Sequence, residues 1–306
     1  MVSMKDISLT CGVSVATVSK ALNGHKDIGE ETKELIRKTA KEMGYFPNSS
    51  ARALKTNRSY NLGVLMIDEA HSGLTHDYFV MILESLKVTA ERYGYDITFI
   101  SGSKQRKDKM SYLEHCRYRG LDGVVIACID YDEEEVIELV HSDIPVVTID
   151  HLFNDRTAII SDNIKGMRDL LTYIYDCGHR KIAYIHGEGK SAVTINRLNS
   201  FYIMAAEHGI EVPDEYVRES AYRDTVTTAK LTNELLDLPD PPTCILFSDD
   251  FASLGGINAI KARGLKIPED ISVAGYDGIR FMKYIEPRLT TINQDAQEMG
   301  RLAAEK

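Results

Sequence analysis

Two hydrophobic rhythms divide this 306-residue chain. Over about the first 45 residues, apolar positions recur at helical spacing in three short stretches. Ser3 with Asp6 three residues on has the spacing of a capping box, and Ile7 gives that helix its apolar contact. Gly12 breaks the pattern. Ser14 is placed to cap a second helix, in which Val18 and Leu22 share a face before Asn23 and Gly24 stop it. A third helix is expected from about Glu30 to Met43. Leu35, Ile36, Ala40 and Met43 form its apolar stripe, Glu30 and Glu31 suit its positive end, and Gly44 ends it. Two short helices joined through a glycine turn are the helix-turn-helix pattern. A core this small predicts a head of marginal stability alone.

From Asn61 the rhythm changes. Strands are expected at 62–67, 97–100, 123–127, 146–149, 181–185, 244–247, 271–274 and 290–292. Helices fall between most of them, at 78–93, 107–118, 133–141, 164–177, 195–208, 226–236 and 251–263. Such alternation predicts an α/β body of parallel sheets covered by helices on both faces. The series divides near Ser161–Ile164 into two doubly wound halves. The strands' C-terminal ends then face a cleft, where ligands of such sheets bind.

Composition is that of a globular protein, with 43% hydrophobic and 27% charged residues. No apolar run approaches the ~18–20 residues that span a bilayer, and no signal-peptide core follows the N-terminus. The expected location is the cytoplasm, without membrane contact. Five cysteines at wide spacing and no C-x-x-C pair argue against a disulfide framework and a zinc site. The net charge of −10 hides an asymmetry: residues 1–60 balance to +4 and residues 61–306 to −14. A basic head suits nucleic acid, and an acidic body repels phosphate from everywhere else.

The exposed face of the second helix is small, with Val15, Ala16, Thr17, Ser19 and Lys20 following the cap Ser14. Small residues let a helix enter the major groove by its N-terminal end, where hydroxyls hold phosphates and methyls meet thymine. An ordinary three-helix packing module is the alternative. The run from Asp6 through Gly12-Val13-Ser14, Thr17-Val18-Ser19 and Leu22-Asn23 to Gly44-Tyr45 and Pro47-Asn48 resembles the head of the LacI/GalR family of bacterial regulators. Ala51-Arg52-Ala53-Leu54-Lys55 resembles that family's hinge helix. The resemblance makes Val15, Ala16 and Lys20 base-reading positions and turns Thr17, Ser19 and Tyr45 toward phosphates. It gives the hinge, with Ala53 and Leu54, to the minor groove, Leu54 as an apolar wedge. Family members often carry more polar residues at 15 and 16. It further implies a head at 1–46, a hinge and linker at 47–60, and two subdomains of periplasmic-binding-protein type. These would be 61–162 with the returning tail 291–306, and 163–290. The chain stops within a helical pattern at Lys306, where family members usually continue.

Several strand ends carry polar groups: Asp68, Asp150, Asp249 with Asp250, and Asp277, while Arg197 lies inside a helix and Tyr222 follows Glu219. Carboxylates and an arginine fork around an aromatic ring suit a neutral polyol. Asp250 can also cap the helix that follows it. The resemblance implies effector contacts from Arg197, Asp249 and Asp277, then Asp150 and Tyr222, then Asp68, Tyr78, Phe79 and Gln294. Implied partners are roughly palindromic double-stranded operator DNA, a neutral mono- or disaccharide effector, and a second copy of the chain in a homodimer. No cofactor, metal or catalysis is expected. Gly189-Lys190-Ser191 lacks the earlier glycine of a phosphate loop, Tyr184 standing there, and neither G-x-S-x-G nor H-E-x-x-H occurs. A transport-type sugar-binding protein and a regulator answering to a protein partner are the competing readings.

Overall fold

The computed structural model describes residues 2–46, 58–67, 73–100 and 110–306. They fall into two compact units, Met1–Ser59 and Tyr60–Lys306.

The first unit holds helices α1 (Met4–Cys11), α2 (Val15–Leu22) and α3 (Glu30–Glu42). The Ser3–Asp6 capping box forms as the spacing demands, and Gly12 ends α1 in the left-handed region at φ 63°. Ser14 accepts from the Thr17 amide at 3.0 Å and starts α2. Ile7, Val18, Ala21, Ile36 and Ala40 are buried together as one small core. Leu35 departs from the expected stripe and is 51% exposed. Ile36 and Ala40 supply the inward face of α3, and a core of this size has no room for a further leucine.

The second unit is α/β. Strands β1 (Asn61–Met66), β2 (Asp96–Ile100), β3 (Gly123–Ala127), β4 (Val146–Ile149) and β5 (Thr157–Ile159) make a parallel sheet in the order β2-β1-β3-β4-β5. Helices α4 (Asp77–Arg92), α5 (Tyr112–Arg119) and α6 (Glu134–Val140) accompany it. A second parallel sheet, β10-β9-β8-β6-β7, contains β6 (Ile182–His186), β7 (Val217–Glu219), β8 (Cys244–Phe247), β9 (Ser272–Asp277) and β10 (Thr290–Asn293). Helices α7 (Asn163–Asp176), α8 (Ala192–Glu207), α9 (Thr225–Leu236) and α10 (Asp250–Ala262) belong to it. Two apolar cores go with each sheet, which is why central strands such as β3 and β6 are buried along their whole length.

The structure differs from the pattern in three places. Strands β5 and β7 have only three residues each and lie at sheet edges, too short for a period to register. Helix α5 starts at Tyr112 behind a Ser111–Glu114 capping box, not at 107, while 107–109 lie outside the described residues. β10 pairs with β9 through Asn293, so the chain leaves the second sheet after Asn293 rather than at 291. It then returns to the first half as helix α11 (Ala296–Glu305), which packs on α4. A side chain at Gly300 would come within 2.1 Å of the Ile82 carbonyl, so the absence of one lets the two helix backbones touch.

Candidate functional site

The head presents α2 as a small-residue surface. Val15 is 44% exposed and Ala16 is exposed beside it. Ser14 is exposed but committed: it caps the helix and its hydroxyl lies 2.9 Å from that of Thr17. Ser19 is half-buried, with its carbonyl accepting from the Asn23 side-chain Nδ2 at 2.7 Å. The Lys20 ammonium is exposed and pairs with Asp27. Tyr45 packs half-buried against the head's core. Ala53 and Leu54 lie outside the described residues. The side chains of α2 thus offer methyls and hydroxyls near the helix N-terminus and one exposed, Asp27-paired cation in its last turn, a combination that suits a duplex groove.

In the body, the strand ends are where the backbone is strained. Among the described residues, non-glycine residues with positive φ are Cys128 (52°) after β3, Asp150 (59°) after β4, Asp277 (107°) at the end of β9, and Arg223 (62°). Tyr60 (58°), before β1, is the fifth. Each costs energy that the fold must offset, and such strain concentrates where side chains are aimed at a ligand.

Arg197 on α8 is 3% exposed. Its Nε donates to Asn163 Oδ1 at 2.8 Å and its Nη1 to the Ser248 carbonyl at 3.2 Å. Its guanidinium lies over the Tyr276 ring, 3.6 Å from the centroid. Among the described residues no carboxylate forms an ion pair with it. Asp277 is buried nearby and accepts from Gln294 Nε2 at 2.7 Å. Burial pushes the Asp277 carboxyl well above the ordinary carboxylate range, against the pull of Arg197. The other end of the Gln294 amide, Oε1, is buried without a hydrogen-bond partner, and so is Ser220 Oγ. An unsatisfied buried oxygen on Gln294, whose other end holds Asp277, is a group that a ligand could complete.

Tyr222 lays its ring on the backbone of Gly187, where a side chain would meet it at 2.3 Å, and shares a 2.8 Å hydrogen bond with Thr194. On the first half, the Tyr78 hydroxyl donates to Asp150 Oδ2 at 2.9 Å and sits 3.2 Å from the Met299 sulfur. Burial raises both groups' pKa, and the Asp150 carboxylate feels Arg197 from the other half. Phe79 is half-buried, with its ring against those of His76 and Tyr78 at 4.7 and 5.1 Å between centroids.

One assignment changes. Asp249, not Asp250, caps α10: its Oδ1 accepts from the Ala252 amide at 2.8 Å, and its Oδ2 from the Arg223 amide and the Ser248 hydroxyl, each at 2.9 Å. Asp250 is fully buried and accepts from Thr291 Oγ1 at 2.6 Å and the Ile279 amide at 2.9 Å, tying β9 and β10 to the helix. Burial pushes it up to about 7. Asp68 lies outside the described residues. Sequence reasoning missed Asn163, Ser220 and Tyr276. Tyr276 alone carried a signal, being an aromatic residue immediately before a strand-end aspartate. Among the described residues, no cluster of His, Cys, Asp or Glu is arranged to hold a metal, and no helix is long and apolar enough to cross a membrane.

A helix-turn-helix head followed by a two-sheet body with a polar cleft defines a DNA-binding regulator under the control of a ligand. Comparison with known proteins specifies the class. Residues 3–48 match the family model of bacterial regulatory proteins, lacI family, and residues 60–306 that of periplasmic binding proteins and the sugar binding domain of the LacI family. The chain is 31% identical to the probable transcriptional repressor ExuR of Bacillus subtilis (strain 168), over 100% of this chain and 90% of that one. It is 29% identical to the repressor CytR of Escherichia coli (strain K12), over 98% and 87%. In fold it is similar to the Lac repressor dimer bound to operator and the anti-inducer ONPF, with a TM-score of 0.84 at 24% identity over 99% and 91% of the two chains. A complex of the regulator CelR with cellobiose gives a TM-score of 0.71 at 22% identity, over 100% and 91%. The chain belongs to the LacI family of bacterial transcriptional regulators.

Proposed function

We propose that the chain works in the cytoplasm as a homodimeric repressor of a roughly palindromic operator, and that a small neutral carbohydrate bound between the halves of its body controls DNA affinity. The observation that carries the ligand reading is Arg197. A buried guanidinium with no carboxylate partner is costly unless acceptors complete its bonding. Sugar hydroxyls are such acceptors, and the same hydroxyls donate to Gln294 Oε1 and Asp277. Tyr222 offers a flat face for the ring's apolar side. Asp150, Tyr78, Phe79 and, by family resemblance, Asp68 complete the walls. Asp249 acts from behind, holding Arg223 and the start of α10. Cellobiose in the CelR complex is a ligand of this chemistry on a similar fold.

In the head, Val15, Ala16 and Lys20 meet base edges, while Ser14, Thr17, Ser19 and Tyr45 meet phosphates. Ala53 and Leu54 belong to a hinge that enters the minor groove. The working units are the head at 1–46, the hinge and linker at 47–60, and two effector subdomains split near 162 and again after Asn293. Two-fold symmetry of a dimer matches that of the operator. Effector binding shifts the relation of the halves and with it the population competent for DNA.

The test is thermal unfolding against a panel of mono- and disaccharides, with nucleosides and sugar phosphates as controls. A ligand at ~100 times its Kd adds about 2.7 kcal/mol and raises Tm by a few degrees. The expected result is a shift with one group of sugars, lost in Asp277→Ala. A shift with sugar phosphates alone would overturn the neutral-ligand reading.

A further inference from the structure

Arg223 is held at several points at once. Its backbone sits in the left-handed region at φ 62°, and its amide donates to Asp249 Oδ2 at 2.9 Å. Its guanidinium stacks on Phe251 at 4.0 Å. The fork then reaches out of its own half. Nη1 donates to Asp77 Oδ2 at 3.0 Å and Nη2 to the Thr75 carbonyl at 3.3 Å. Asp77 is the first residue of α4 in the first half, and the Arg223 side chain is only 9% exposed in this contact. Every other ion pair between described residues of the body stays within one half.

The position matters more than the pair itself. Tyr222 precedes Arg223 and Tyr78 follows Asp77, so each end of the contact is one residue from a side chain of the cleft wall. Pinned from behind by Asp249 and Phe251, the arginine has little freedom to yield. It therefore fixes the distance between the two walls rather than following it.

We infer that Arg223 is a positioning residue: its fork onto Asp77 and Thr75 clasps the two halves beside the cleft and holds Tyr222 opposite Tyr78. The pair biases the body toward the arrangement seen here, and its loss frees the halves to separate. The contact does not depend on what the cleft binds. Its consequence, a lower effector affinity when the clasp is cut, rests on the functional reading above.

Hydrogen exchange read by mass spectrometry on the full chain, without ligand, tests the clasp and leaves the sugar question aside. Arg223→Gln should raise exchange on the order of tenfold at 221–226 and also across the gap at 73–80. Asp77→Asn, a mild change at a helix start, should do the same in both segments. The double variant should be no worse than either single one, because one contact has been cut twice. Arg223→Lys keeps the charge but loses the fork, and should fall between wild type and Arg223→Gln. A role confined to the second half would leave 73–80 unchanged in Arg223→Gln at unaltered Tm, and that result would overturn the inference. So would additive effects in the double variant. A failed sugar screen beside coupled exchange would refute the carbohydrate reading and leave the clasp standing.

Discussion

The two candidate sites of this molecule are built in opposite ways. On the head, Val15, Ala16 and Lys20 stand in solvent, and α2 rests on a core of five buried residues. In the body, Arg197, Asp277 and Gln294 are buried, and each is already engaged by the scaffold before any ligand arrives. An exposed reading surface can change its side chains with little effect on folding. A buried polar cluster cannot, because its groups hold each other. Specificity for DNA should therefore be separable from stability in this protein, and specificity for the effector should not.

Substitutions can break that contrast, and the largest effect belongs to the head's core. Ile36→Ala empties a fully buried site in a unit with few others, at a cost of roughly 2–5 kcal/mol. The expected outcome is loss of helical signal from the head and of DNA binding, while the body's calorimetric transition stays in place. A shift of both transitions together would show that the head is not an independent unit. Next comes Asp249→Ala, which strands the Ala252 and Arg223 amides and the Ser248 hydroxyl. About 2–4 kcal/mol of body stability should go with it, read by urea unfolding.

The pH dependence is smaller and has a definite sign. Burial holds the folded-state pKa of Asp277, Asp250 and Asp150 above the unfolded value of 3.8, with Asp250 at about 7. The folded body thus binds these protons more tightly than the unfolded chain. The Asp250 contribution to stability is complete below pH 3.8 and is lost as pH rises through about 7, and those of Asp277 and Asp150 fall in the same direction as pH rises. Relative to wild type, Asp277→Asn should flatten this part of the Tm profile. An unchanged profile would mean that Asp277 is ionised throughout. The smallest effect on folding is expected at Lys20→Ala. Tm should hardly move, while affinity for the selected operator falls several-fold and more than affinity for random DNA, as a base contact requires. A large drop in Tm with unaltered DNA binding would reverse the contrast.

The same contrast explains how much of the molecule was legible in its sequence. Capping and periodicity are local, so Ser3–Asp6, Ser14 and the long helices of the body could be read directly. Strands β5 and β7 could not, because three residues at a sheet edge leave no period. The cleft was legible in its residue types and not in its bonding. That Asp249 rather than Asp250 caps α10 depends on where the Arg223 amide and Thr291 lie, 26 residues before and 41 after. Asn163 and Ser220 gave no signal, since their roles come from being brought beside Arg197 and His186 by the sheet order. Arg223 reads in the sequence as one more surface charge, and only folding brings it to Asp77 and Thr75 in the first half.

The most direct test joins the two sites. An operator fragment is first selected from random duplex DNA with the full-length protein, and its Kd is measured with and without the sugar that raises Tm. The account predicts a change of about fivefold or more, the usual scale of allosteric coupling. Asp277→Ala should lose that response while keeping operator binding. A sugar shown to bind the body that leaves operator Kd unchanged would contradict it.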